Sequence, residues 1–179
     1  MHSGNVGHVQ ELDALIRAAT LFRELEDVEV AIIGGGVRRD ELVGSRVRST
    51  PGNVRFFPYQ PRGALSQSLS AADVRVVALA RRLAGYAVPS RLYGVLAVAR
   101  PVIVAAVVES ETAEIVERVG CGVVVPPGQP NLLADAIRRA RDGELDHAEM
   151  GRRGRDYVTA EADRPIAMDR YRTLPAELT

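Results

Sequence analysis

A chain of 179 residues is long enough to bury one proper core, and 46% hydrophobic with 26% charged residues is the composition of an ordinary globular domain. Its 23 basic and 23 acidic residues cancel, which argues against a strong nucleic-acid footprint. No apolar run nears the roughly 20 residues of a membrane span, and the polar, glycine-bearing start does not read as a signal peptide.

The chain opens almost inside a strand, Met1-His2-Ser3, followed by the turn Gly4-Asn5-Val6-Gly7. Glu11 to Leu25 places Leu12, Leu15, Ile16, Ala19 and Phe22 at helical spacing on one face. Asp27 to Ile33 reads as a strand that ends in Gly34-Gly35-Gly36. A helix is expected over Asp40 to Val47, a strand over Asn53 to Phe57, and a helix over Ala64 to Ala72. Val74 to Leu79 is the next strand. It runs into a loop carrying Arg81, Arg82, Gly85 and Pro89, after which a helix runs from Ser90 to Val98. Strand Pro101 to Val107, helix Ser110 to Val119, strand Cys121 to Val125 and helix Asn131 to Arg141 follow. Glu144 to Arg172 reads as two amphipathic helices broken around Asp163 to Pro165, with no strand after them.

Strands that alternate with helices specify a parallel sheet covered on both faces. Ligands of such sheets bind at the carboxyl ends of the strands. The loops there are Gly4 to His8, Gly34 to Arg38, Pro58 to Gly63, Ala80 to Pro89, Ala106 to Ser110 and Pro126 to Gln129. Of these, Val88-Pro89-Ser90-Arg91-Leu92-Tyr93-Gly94 is the most informative. Ser90 is a good N-cap type, Arg91 adds a cation, and a helix N-terminus offers unpaired N–H groups. That combination suits an anion such as a diphosphate; the alternative is a capped surface helix with a solvated Arg. Gly4 and Gly7 let a backbone approach a phosphate closely, or make an ordinary strand–helix turn. Gly34-Gly35-Gly36 is not a dinucleotide fingerprint. Arg39 stands where a third spaced glycine belongs, and no acid ends the strand Val54 to Phe57. A tight turn near the ligand is the expected role.

The single cysteine, Cys121, makes no internal disulfide and sits between glycines at the mouth of an apolar run. It reads as a small core residue without a base nearby. Together with the missing export signal this points to a reducing, cytoplasmic setting. His2, His8 and His147 are scattered, so no metal site is expected.

In order and at family spacing, several segments resemble the C-terminal half of a GT-B glycosyltransferase of the group 1, family 4 type. They are Ser3-Gly4-Asn5-Val6-Gly7, Ile32 to Gly36, Asn53 to Pro61, Ala71 to Val74, Val88 to Gly94, Ser110-Glu111 and Gly122 to Gly128. The resemblance is closest to a bacterial subgroup that makes polysaccharides and glycolipids. It implies a Rossmann-like α/β domain, one half of a GT-B fold, spanning residues 1–179 with 144–179 as a helical extension. It also implies a nucleoside diphosphate sugar, UDP- or GDP-linked, as donor substrate, and no other cofactor.

The nucleotide-sugar site implied by the resemblance comprises Gly4, Asn5, Gly7, His8, Tyr59, Gln60, Gly85, Pro89, Ser90, Arg91, Tyr93 and Glu111. Tyr59-Gln60 corresponds to the loop lining the base pocket. Glu111 serves either a ribose hydroxyl or only the start of its helix. Three departures stand out. Asn5 and Gln10 replace a basic pair in the first loop, and Ala84 and Gly94 replace two glutamates near the donor. The N-terminal acceptor domain, which usually supplies the catalytic base, has no counterpart in these residues. The expectation is therefore a donor-binding half that works with an acceptor domain in the same or a separate chain, and any peripheral membrane contact comes through that domain. No catalytic residue is assigned within this half. A non-catalytic sugar-nucleotide-binding subunit, and half of a sugar-nucleotide epimerase of the same architecture, are the rival readings.

Overall fold

The computed structural model describes residues 1–7, 12–39, 42, 51–81 and 90–177. The strands are β1 (His2–Ser3), β2 (Val30–Ile33), β3 (Val54–Phe57), β4 (Arg75–Ala78), β5 (Val102–Ala105) and β6 (Gly122–Val125). All pair in parallel, as β1-β2-β3 and β4-β5-β6. The two groups meet at β1 and β4. There the Met1 nitrogen donates to Val74 O at 2.9 Å and Val76 N–H donates to Met1 O at 2.8 Å. One rung of parallel ladder thus joins them in the order β3-β2-β1-β4-β5-β6. This is the doubly wound order, with its reversal between β1 and β4.

The helices are α1 (Leu12–Leu21), α2 (Leu65–Ser70, after a 3₁₀ turn at Arg62–Ala64), α3 (Arg91–Ala97), α4 (Glu111–Val119), α5 (Pro130–Arg141), α6 (His147–Tyr157) and α7 (Arg164–Glu177). Side chains alternate across each strand, so the apolar runs feed two cores. Val76, Ala78, Ile103 and Ala105 pack with Leu15, Ile16 and Ala19 of α1 and Leu133 and Ala136 of α5. Val77, Leu79, Val102 and Val104 pack with Leu92, Val95 and Leu96 of α3 and Ile115 and Val116 of α4. Every residue of β2, β4 and β5 is buried. Continuous apolar strands are what a sheet with helices on both faces requires.

Most sequence-predicted elements are present with ends shifted by a few residues, mostly shorter, and the helix expected from Asn131 starts at Pro130. The expected helix over Asp40 to Val47 lies, apart from Leu42, outside the described residues. Cys121 is fully buried, and burial pushes its thiol up to about 11, which fits a core residue and not a nucleophile. The final segment differs from expectation. Asp146 caps α6 through Glu149 N–H at 2.9 Å, a π turn covers Val158–Ala162, and Asp163 leaves helical geometry at φ −69°, ψ 153°. Beyond it, only Ile166 among residues 164–169 is even half-buried. Among the described side chains of this second helix no buried apolar stripe is present.

Candidate functional site

The loops after β1, β2 and β3 are bonded to one another at the carboxyl ends of their strands. Gly4 N–H donates to Ile33 O at 2.9 Å, Val6 N–H to Gly35 O at 2.8 Å, Gly34 N–H to Phe57 O at 3.0 Å and Arg38 N–H to Val6 O at 3.1 Å. Gly34 sits at φ +142°, and a Cβ there would collide with the Gly4 carbonyl oxygen. The glycine run thus lets two loops touch, which is the tight-turn role expected of it. Arg38 pairs with Asp13 of α1 at 2.9 Å and ties this loop to the body.

Arg91 comes to the same corner from the other half of the sheet. Gly4, at φ +131°, faces its guanidinium so closely that a Cβ would lie 2.9 Å from Nη2. Arg91 Nη1 lies 2.9 Å from His2 Nε2. His2 Nδ1 lies 3.2 Å from Val76 O. Burial lowers the Arg91 pKa, opposed by the influence of Tyr59. Tyr59 is 59% exposed; its hydroxyl donates to Gly35 O at 3.2 Å, and its ring lies against Gly35. Gln60 is exposed and turns back to Pro58 O at 3.1 Å. Gly4, Asn5, Gly7, Tyr59 and Arg91 are thus gathered where the strand order reverses, the place a ligand occupies in such sheets.

Other predicted residues stand elsewhere. Tyr93 is two positions past Arg91, about 200° around the helix, and faces Glu111 and Tyr157. Burial first, then those neighbours, raises its pKa. Glu111 is exposed in the first turn of α4. His8, Gly85 and Pro89 lie outside the described residues, as does Ala84. Arg81 is exposed.

Ser90 corrects the sequence reading. It is not a capping residue: its backbone is already helical, at φ −51° and ψ −23°, and its side chain makes no cap hydrogen bond. A cap needs extended geometry so that its oxygen reaches back to the second or third N–H. Ser110 has that geometry, at φ −79° and ψ 143°, and its Oγ accepts from Ala113 N–H at 3.3 Å. The cation at this corner is therefore better founded than the helix end.

Sequence reasoning missed His2 and Arg75. Arg75 is 1% exposed in β4. It donates to Ser3 Oγ and to Ser68 O, and its Nε has no partner. Burial, then the charge of Arg91, pulls its pKa down to about 10. A charge inside a strand buried on both faces is expensive, and that anomaly in Val74 to Leu79 was the available signal. Among the described residues no three His, Cys, Asp or Glu side chains gather as metal ligands do. A cavity of about 490 Å³ opens at the opposite end of the sheet, among Met1, Val28, Val74, Arg141 and His147. It lies at the amino ends of the strands, away from the reversal corner.

The model of a family described as "Glycosyl transferases group 1" matches residues 1–157. A probable glycosyltransferase, WbjE of Pseudomonas aeruginosa, is 27% identical over 168 residues, 94% of this chain and 41% of that one. A putative colanic acid biosynthesis glycosyl transferase, WcaI of Escherichia coli K12, is 32% identical over 141 residues, 78% of this chain and 34% of that one. The chain thus spans well under half the length of these relatives. Among solved structures, Anabaena HepE in complex with UDP superposes with a TM-score of 0.78 at 18% identity, over 98% of this chain and 48% of that one. S. aureus TarM, in a complex that includes UDP, gives 0.78 at 17% identity, over 97% and 34%. At such identities the likeness establishes the fold. Among the described residues no helix is long and apolar enough to cross a membrane.

Proposed function

The chain belongs to the glycosyl transferases of group 1, and on that footing we propose that it is the donor side of such an enzyme, binding a nucleoside diphosphate sugar whose sugar passes to an acceptor hydroxyl. The observation that carries this reading is the Arg91 guanidinium lying against the Gly4 main chain at the strand reversal. A diphosphate placed there meets a cation and the glycine backbone of residue 4. Two solved structures of the same fold hold UDP, which supports a nucleotide donor. The name of WcaI supports an envelope polysaccharide or glycolipid as the product class.

The chemistry asked of this half is stabilisation of the leaving diphosphate. Negative charge grows on the phosphate oxygen as the glycosidic bond breaks, and a fixed guanidinium offsets it without reorganising at that moment. Arg75 adds a second buried positive charge nearby. Tyr59 and Gln60 border the corner on the β3 side, where the base would lie. The acceptor has to be held opposite the sugar, and in our reading a second domain, in the same or another chain, does this. Holding both reactants in one geometry supplies much of the rate, so this chain alone should not transfer sugar.

Calorimetric titration with uridine and guanosine diphosphates tests the donor site. Arg91→Ala should weaken binding about ten- to a hundredfold, the worth of one charge-assisted phosphate contact. Arg91→Lys should recover most of it, and Arg81→Ala or Arg82→Ala should do much less. Equal affinity of wild type and Arg91→Ala would show that this corner is not the phosphate site. Robust turnover of nucleotide sugars by the chain alone would overturn the division of labour.

A further inference from the structure

We propose that His2 is a positioning residue: it holds the Arg91 guanidinium against Gly4, so that the cation stands ready for the diphosphate. The inference rests on the donor-site reading above and names a residue that acts through Arg91.

His2 is wholly buried in β1, and among the described residues each of its ring nitrogens has a hydrogen-bond neighbour. Nδ1 lies 3.2 Å from the Val76 carbonyl of β4. A carbonyl only accepts, so Nδ1 carries the proton and donates. Nε2 then holds a lone pair, and it lies 2.9 Å from Arg91 Nη1, which only donates. The two neighbours leave one tautomer and one charge state. An imidazolium would set N–H against N–H and bring a second cation to an existing one. In agreement, burial first and the charge of Arg91 next push the His2 pKa down to about 3. The bond also spans the reversal: one ring links β1, β4 and the first residue of α3.

Arg side chains are long and lose much rotamer freedom when fixed. Arg91 reaches Gly4 from a seven-residue helix whose preceding serine does not cap it. An acceptor at the far end of the guanidinium fixes the side chain before ligand arrives, and that lowers the cost of binding.

Two amides separate this role from plain support of the fold. Gln places its oxygen near the Nε2 position and keeps an acceptor for Arg91. Asn reaches only the Nδ1 position, keeping the link to Val76 and losing the one to Arg91. Uridine diphosphate is titrated calorimetrically into wild type, His2→Asn, His2→Gln, Arg91→Ala and His2→Asn/Arg91→Ala. The expected result is a roughly tenfold weaker Kd for His2→Asn, and a Kd within about threefold of wild type for His2→Gln. His2→Asn should cause no further loss in the Arg91→Ala background. Wild-type affinity in His2→Asn, with loss in Arg91→Ala, overturns the positioning role and leaves the donor site standing. No binding by wild type, or no loss in Arg91→Ala, overturns the donor site and this inference with it. Nitrogen NMR of the wild-type ring gives a readout that needs no variant to fold. It should show an Nδ1–H tautomer with an accepting Nε2 and no titration between pH 5 and pH 8. An Nε2–H tautomer, or a ring titrating near its ordinary 6.5, would overturn the role.

Discussion

The two sides of the sheet are built differently. From β4 to β6, four-residue strands pair in full register, and Val77, Val102, Ile103 and Val104 meet apolar helix faces. At the β1 seam the strand has two residues, and His2 and Arg75 are buried there. The apolar side gains by burial, at roughly 25 cal/mol per Å². The seam bears the cost of keeping polar groups out of water. It does so where the strand order reverses, which is where ligands of such sheets bind. Apolar burial and buried polar contacts are thus concentrated at different places in one sheet, and β4 takes part in both, through Val77 and Arg75.

Substitutions on each side should separate these roles. The largest effect is expected at Gly34. Gly34→Ala puts a Cβ into the Gly4 carbonyl at a positive φ, which should cost about 3 kcal/mol or more in urea unfolding. Nucleotide affinity should fall with it, because Gly4 moves relative to Arg91. Next is Ile103→Ala in the apolar half, with a loss of about 2–5 kcal/mol. There the surviving folded protein should bind uridine diphosphate as wild type does. If Ile103→Ala altered affinity as much as Gly34→Ala, the division between the two sides would be wrong.

Acid offers a third test. His2 has a folded pKa of about 3 against an ordinary 6.5, so between these values the unfolded chain binds the extra proton. Its contribution to stability is complete above pH 6.5 and is lost as pH falls toward 3, with a slope of at most about 1.4 kcal/mol per pH unit. Urea midpoints of wild type and His2→Gln, measured from pH 7 to pH 4, should diverge, with the variant flatter. Parallel curves would contradict it. The smallest effects concern the two serines. Ser110→Ala should cost about 1 kcal/mol through its lost cap, while Ser90→Ala should stay within about 0.5 kcal/mol. Equal losses would mean that Ser90 caps α3 after all.

Much of the fold was legible in the chain, because period and punctuation are local. Short β-branched apolar runs such as Val102 to Ala105, bounded by Pro101 and followed by a loop, read as strands covered on both faces, and Leu12, Leu15, Ile16 and Ala19 fall on one helix face at a 3.6-residue period. Gly34-Gly35-Gly36 marked a tight turn, and Arg91 was read as the cation of the corner where its guanidinium now lies against Gly4. What the tertiary structure decided is which groups meet. Ser90 and Ser110 look alike in sequence, and only the backbone path into each helix makes one a cap. His2 precedes Arg91 by 89 positions, and Arg75 and Ser3 are likewise far apart in the chain. No spacing rule pairs them, because the reversal of strand order brings β1 beside β4. A buried histidine and a buried arginine become meaningful only when their partners are known, since a polar group's energy in a core is set by its neighbours and not by its type.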